Sequence, residues 1–229
     1  MESTDRGLPK MQYGRKPSNN HQHTATHRAG PGGARRSSRD LRPVAAFRQR
    51  GIRASRQRED FNAPEDWHEP SCRNAVRYIV QRAGENYTHP VTPDEVRARL
   101  AKLPERFTRN LEVVQFSTMT RKRKTFPCYG MQWGPAVYLY PIEKSLVERY
   151  IQVPNPQQLI EARMYGGQWT QHGNLWRLTW TESAIKDFYL NNVLIHEVGH
   201  LNDTRNTRSL DRERFANWFA IEYGYRATR

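Results

Sequence analysis

His196 and His200 stand one helical turn apart, with Glu197 between them, in the segment Leu194-Ile195-His196-Glu197-Val198-Gly199-His200-Leu201. Residues four apart on a helix project from one face, so two imidazoles at this spacing can bind one zinc ion. Glu197 then lies beside the metal, close enough to its bound water to act as general base. With 8 His in 229 residues, chance produces such a pattern roughly 0.02 times per chain. The surrounding residues are apolar with a helical period, where paired histidines have no ordinary packing role beyond bonding backbone carbonyls.

Zinc in a catalytic site usually takes three protein ligands and keeps one position open. Glu213 is the first candidate for the third. It falls on a predicted helix with Ser209 as N-cap, ending after Tyr223 with Gly224 as the stop. Glu213, Ala216 and Ala220 share one face of that helix, and the alanines are small enough to let it lie close to the motif helix. Asp203, one turn past His200, is an alternative ligand or an acceptor that orients a histidine. Asp211 or a distant His also remains open. Tyr223 or Tyr225 would donate to a developing oxyanion. An edge strand at residues 136–140 or 175–180 would align a substrate by main-chain hydrogen bonds.

The motif, followed by Glu213-Arg214-Phe215-Ala216-Asn217-Trp218-Phe219-Ala220, resembles the zincin metallopeptidases of the glutamate-ligand (gluzincin) type, over roughly residues 181–224. The Glu-x-x-Ala-Asn-x-Phe-Ala portion is similar to the ImmA/IrrE-like group. The resemblance implies His196, His200 and Glu213 as zinc ligands and Glu197 as general base. It also implies a hydrolase that cleaves peptide bonds with a zinc-activated water. Two other classes stay open: a zinc-stabilised binding module without turnover, and a nucleic-acid-associated protein targeted by a basic segment.

The elements that must position these residues belong to an α+β domain over residues 63–229, zincin-like, with helices and a small, mostly antiparallel sheet. A helix carrying Ala75, Val76, Ile79 and Val80 opens it. A second runs from Thr92 to Leu103, started by the capping box Thr92-Pro93-Asp94-Glu95. Strands are expected at residues 111–116 and 136–141, with a weaker one at 125–129. A hairpin pairs residues 168–170 with 175–180 across His172-Gly173-Asn174. The basic run Arg121-Lys122-Arg123-Lys124 reads as a solvated hairpin tip, and the motif helix as residues 183–201.

Charge is uneven along the chain. Of the net +14, residues 1–60 contribute +9, from 14 Lys/Arg against 5 Asp/Glu. Residues 1–62 lack apolar bulk and period, so they read as a disordered basic tail suited to nucleic acid or another polyanion. Cys72 and Cys128 are too few for a disulfide framework and read as half-buried thiols in a reducing compartment, with one bridge between them left open. No apolar run reaches membrane-spanning length, and the first twenty residues are polar, so the expectation is a cytoplasmic protein with a peptide or protein substrate.

Overall fold

The computed structural model describes residues 63–71, 75–125 and 127–229. The expectations for residues 1–62 and for Cys72 lie outside the described residues. The described chain is a mixture of helices and small sheets, as the α+β reading anticipates.

The largest sheet joins β1 (Arg77–Val80), β3 (Val113–Phe116), β5 (Ala136–Leu139) and β4 (Gly130–Trp133) in the order β1-β3-β5-β4. β1, β3 and β5 run parallel, while β4 closes one edge antiparallel to β5. This corrects two expectations. The apolar run at residues 75–80 leads into a strand at Arg77–Val80, because its apolar residues alternate between faces. Val76 and Tyr78 pack on the main core and Ile79 on the opposite side. The sheet is also mixed where a mostly antiparallel one was expected. Parallel strands need crossovers, and α1 (Pro93–Leu100) and α2 (Glu105–Thr108) lie on the connection from β1 to β3. β5 is buried on both faces: Val137 and Leu139 meet the helices, and Ala136 and Tyr138 fill a second cluster with Val113 and Tyr140. That explains its unbroken apolar run.

Local chemistry sets the helix starts. Thr92 caps α1 as anticipated: its Oγ1 accepts from Glu95 N (3.3 Å) and its own N–H donates to Glu95 Oε2 (2.8 Å). The same box starts α4 (Pro156–Met164) through Asn155 and Gln158. The expected hairpin is present as β8 (Gln168–His172) and β9 (Leu175–Thr179), which with β7 (Val147–Tyr150) forms a sheet ordered β7-β9-β8. Glu148 of β7 ties this sheet to the residue before β4, accepting from Tyr129 Oη (2.9 Å), Tyr150 Oη (3.0 Å) and Trp180 Nε1 (2.9 Å). A two-residue ladder of β2 (Tyr87–Thr88) with β6 (Ile142–Glu143) completes the strands. The run Arg121-Lys122-Arg123-Lys124 lies within a short helix, α3 (Arg121–Thr125), not a hairpin tip. Arg123 is buried there, its guanidinium 4.4 Å above the Tyr140 ring and 3.4 Å from Glu65. Among the described residues of the weak strand expected at 125–129, Thr125 ends α3 and 127–129 are not strand; ladder pairing starts at Gly130.

The motif helix is one continuous helical stretch with an interruption. α5 (Glu182–Phe188), capped by Thr181, leads through a π turn at Tyr189–Val193 into α6 (Leu194–Asn202). α7 (Ser209–Phe219) likewise leads into a second π turn at Ala220–Tyr225. Arg208, not Ser209, occupies the N-cap position of α7. Gly224 does not stop the helix; it lies inside the second π turn, where the two π turns meet. A Cβ at Gly224 would stand 1.8 Å from the Asn191 carbonyl oxygen. Buried Arg99 of α1 pins the junction, donating to Asn191 Oδ1 and to the Tyr223 carbonyl. Tyr165 Oη donates to the Asn191 carbonyl (2.9 Å), and Tyr189 Oη reaches the Tyr140 carbonyl (2.7 Å). Among the described residues no helix is long and apolar enough to cross a membrane.

Gly224→Ala should force the π turns apart and cost about 3 kcal/mol, because overpacking against backbone cannot relax by a side-chain rotation. A lowered urea midpoint at unchanged m-value is the expected observation.

Candidate metal centre

α6 and α7 approach closely, and small residues make the approach possible. Gly199 faces α7 so tightly that an added Cβ would lie 3.0 Å from Ala216 Cα and 3.1 Å from Phe219 Cβ. Ala216 and Ala220 are fully buried in this contact, which answers the expectation of a backbone close behind the motif. The approach brings Glu213 over the imidazoles. Its Oε2 is 3.4 Å from His196 Nε2, its Oε1 is 3.4 Å from His200 Nε2, and the two Nε2 atoms are 3.1 Å apart.

With one donor atom from each residue, all three lie within 4.8 Å of one another, near enough to share a metal. Ligands on a tetrahedron with zinc–nitrogen and zinc–oxygen bonds near 2.1 Å are about 3.4 Å apart. The donor chemistry, two imidazole nitrogens and a carboxylate oxygen, fits zinc as well. The histidines are partly buried and Glu213 is half exposed, so the cluster sits at the floor of an open cleft of about 810 Å³.

The electrostatics describe a trap for positive charge. Hydrogen bonds from His196 and His200 hold the Glu213 carboxyl well below the usual carboxylate range. Burial opposes a charged His196, but its bond to Glu213 and the negative charges of Glu197 and Glu213 outweigh burial and raise its pKa. Glu197 is itself buried, and burial pushes its pKa up against the pull of His196, His200 and the Gln132 N–H.

The other sequence candidates lie elsewhere. Asp203 caps the end of α6: Oδ1 accepts from Asn206 N (3.1 Å) and Arg205 N (3.3 Å), so it neither joins the cluster nor orients a histidine. His200 Nδ1 is buried without a hydrogen-bond partner. Asp211 pairs with Arg214. Tyr223 packs between Phe107 and Phe219, and Tyr225 against Tyr165; neither lines the cleft. Both proposed edge strands are central, β5 between β3 and β4 and β9 between β7 and β8.

The wall of the cleft is β4, which the sequence reading did not single out. Tyr140 N–H donates to the Tyr129 carbonyl (2.9 Å), and the register then places ladder bonds at Met131 and Trp133. The main-chain groups of Gly130 and Gln132 therefore face the open edge. Gly130 presses against the motif helix: a Cβ there would lie 2.8 Å from Val193 Cγ1 and 2.9 Å from Glu197 Oε1. A glycine ahead of a short strand carries no sequence mark of that contact. Cys128 also lines the cleft, but burial pushes its thiol up to about 11, which leaves it protonated at neutral pH and a poor nucleophile.

Comparisons of the chain with protein-family models, with curated proteins and with solved structures found no match in any of the three.

Gly130→Ala should cost about 2 kcal/mol, since the methyl group must displace Val193 or Glu197 from a packed wall. Chemical denaturation beside wild type measures this directly.

Proposed function

We propose that the chain is a zinc-dependent metallopeptidase of the zincin type, hydrolysing peptide bonds with Glu197 as general base. The observation that carries this reading is the placement of Glu197. A buried carboxylate that follows one imidazole of a three-donor cluster, pressed against an open strand edge in a cleft, has no evident structural task.

In this reading His196, His200 and Glu213 hold the zinc. Bound zinc supplies a water of lowered pKa and polarises the carbonyl under attack. Glu197 takes the proton of the attacking water and delivers it to the departing amide nitrogen, so the carboxylate returns to its starting state after each turnover. The open edge of β4 supports an extended substrate, with the main-chain groups of Gly130 and the Gln132 carbonyl offering hydrogen bonds beside the reacting carbonyl. Burial of Glu197 keeps competing water from its carboxylate, and the Gln132 N–H orients it.

Two measurements test the proposal. Metal analysis of purified protein should find one zinc per chain, lost in His196→Ala and Glu213→Ala and retained in Asp203→Ala. Glu197→Gln should retain the zinc and lose hydrolysis of a mixed peptide library by at least about 100-fold. A zinc-replete wild type that cleaves no library member would instead describe a metal-stabilised binding module.

A further inference from the structure

The cleft contains two arginines in contrasting states. The guanidinium of Arg123 is ion-paired: it contacts Cys128 Sγ at 3.3 Å, Glu65 at 3.4 Å and the face of Tyr140 at 4.4 Å, although its Nε makes no hydrogen bond. Arg212, the residue before Glu213, is different. Its Nε is likewise buried without a hydrogen-bond partner, but its one bond to another side chain is a long contact of 3.5 Å from Nη2 to Gln132 Oε1, and Asp203, whose carboxyl its charge helps hold below the usual range, forms no ion pair with it. Among the described residues it forms no ion pair. A guanidinium carries five donors in a planar fork that matches a carboxylate, so a fork left open at the wall of a cleft is a receptor for one.

This fork is held by Gln132, whose main-chain N–H meets Glu197, so it lies beside the reacting atoms. Gly130 meets Glu197. Gln132 lies two positions further on the same face of the strand, about 7 Å along it. Its amide is fixed by donation from Nε2 to the Gly134 carbonyl (2.7 Å), so Oε1 is presented to Arg212. A spacing of two strand residues is the spacing between successive same-face side chains of an extended peptide. A guanidinium held at Gln132 is thus placed to meet a substrate side chain next to the cleaved bond.

We propose that Arg212, steadied by Gln132, is the specificity-determining residue of the cleft and selects peptides with an aspartate or glutamate side chain close to the cleaved bond. The proposal rests on the peptidase reading for its substrate class, but it makes a separate claim about which residue reads the peptide.

The test uses the zinc-loaded full chain and alanine-based octapeptides in which glutamate, glutamine or lysine is placed at each position in turn. Cleavage by wild type should favour glutamate over glutamine at one position by about ten-fold or more, the worth of a charge-assisted bond. Arg212→Gln should abolish the preference through KM, so that glutamate and glutamine peptides are cleaved alike. Arg212→Glu should turn the preference toward lysine. Metal content and thermal midpoint, measured on each variant, show that the fold and the zinc cluster persist. Calorimetric binding of the same peptides to Glu197→Gln protein gives a readout free of turnover. Should wild type cleave nothing while this binding still selects glutamate through Arg212, the peptidase reading fails and the acidic-side-chain site stands. Equal binding of glutamate and glutamine peptides would overturn the site. So would a uniform fall in kcat on every peptide in Arg212→Gln, which would assign the guanidinium to the reacting oxygen.

Discussion

The close contact of α6 with α7 is the constraint on which the rest of the centre depends. Two helices ordinarily pack with axes 8–10 Å apart, set by the side chains between them. Here a glycine faces an alanine Cα, and the separation falls to what backbone atoms permit. Glutamate has a short reach, so a larger residue at position 199 or 216 would leave Glu213 unable to touch both imidazoles. The apolar contact behind the cluster and the polar contact within it are one geometric fact seen from two sides.

The helix pair is held from behind by its two π turns. Each widens a helix by one residue, and the turns sit against one another with no room for a side chain at Gly224. Arg99 fills the junction with hydrogen bonds to both turns, and Tyr165 satisfies the Asn191 carbonyl that the widened turn leaves available. Such turns are rare and concentrate at functional sites, where they re-aim groups that a regular helix would present elsewhere.

Much of the centre was legible in the sequence for local reasons. The motif spacing, the alanine face shared with Glu213, the capping box at Thr92 and the turn at Gly173 all express their geometry within one or two turns of chain. Features that depend on distant partners were not legible. Residues 75–80 satisfy both a helical and a strand pattern over so short a run, and only pairing with Val113–Phe116 decides between them. Which strand becomes an edge depends on the order of pairing, so β5 and β9 were mistaken for edges and β4 passed unnoticed. The box at Asn155 carried the same signature as Thr92 and could have been read. The π turns have no sequence signature, and Tyr223 and Tyr225, expected as oxyanion donors, pack against Phe219 and Tyr165 instead.

The αα-hairpin also implies an order of assembly. The three donor residues lie within seventeen positions of chain, so closing that loop costs little entropy and needs only two helices and the turn between them. The contact of Arg212 with Gln132 spans 80 positions and must wait until the parallel strands have paired, the slow kind of event in a mixed fold. Contact order therefore favours pairing of the two helices before the cleft wall forms. The β4 wall beside the three donors is then the last part of the centre to arrive.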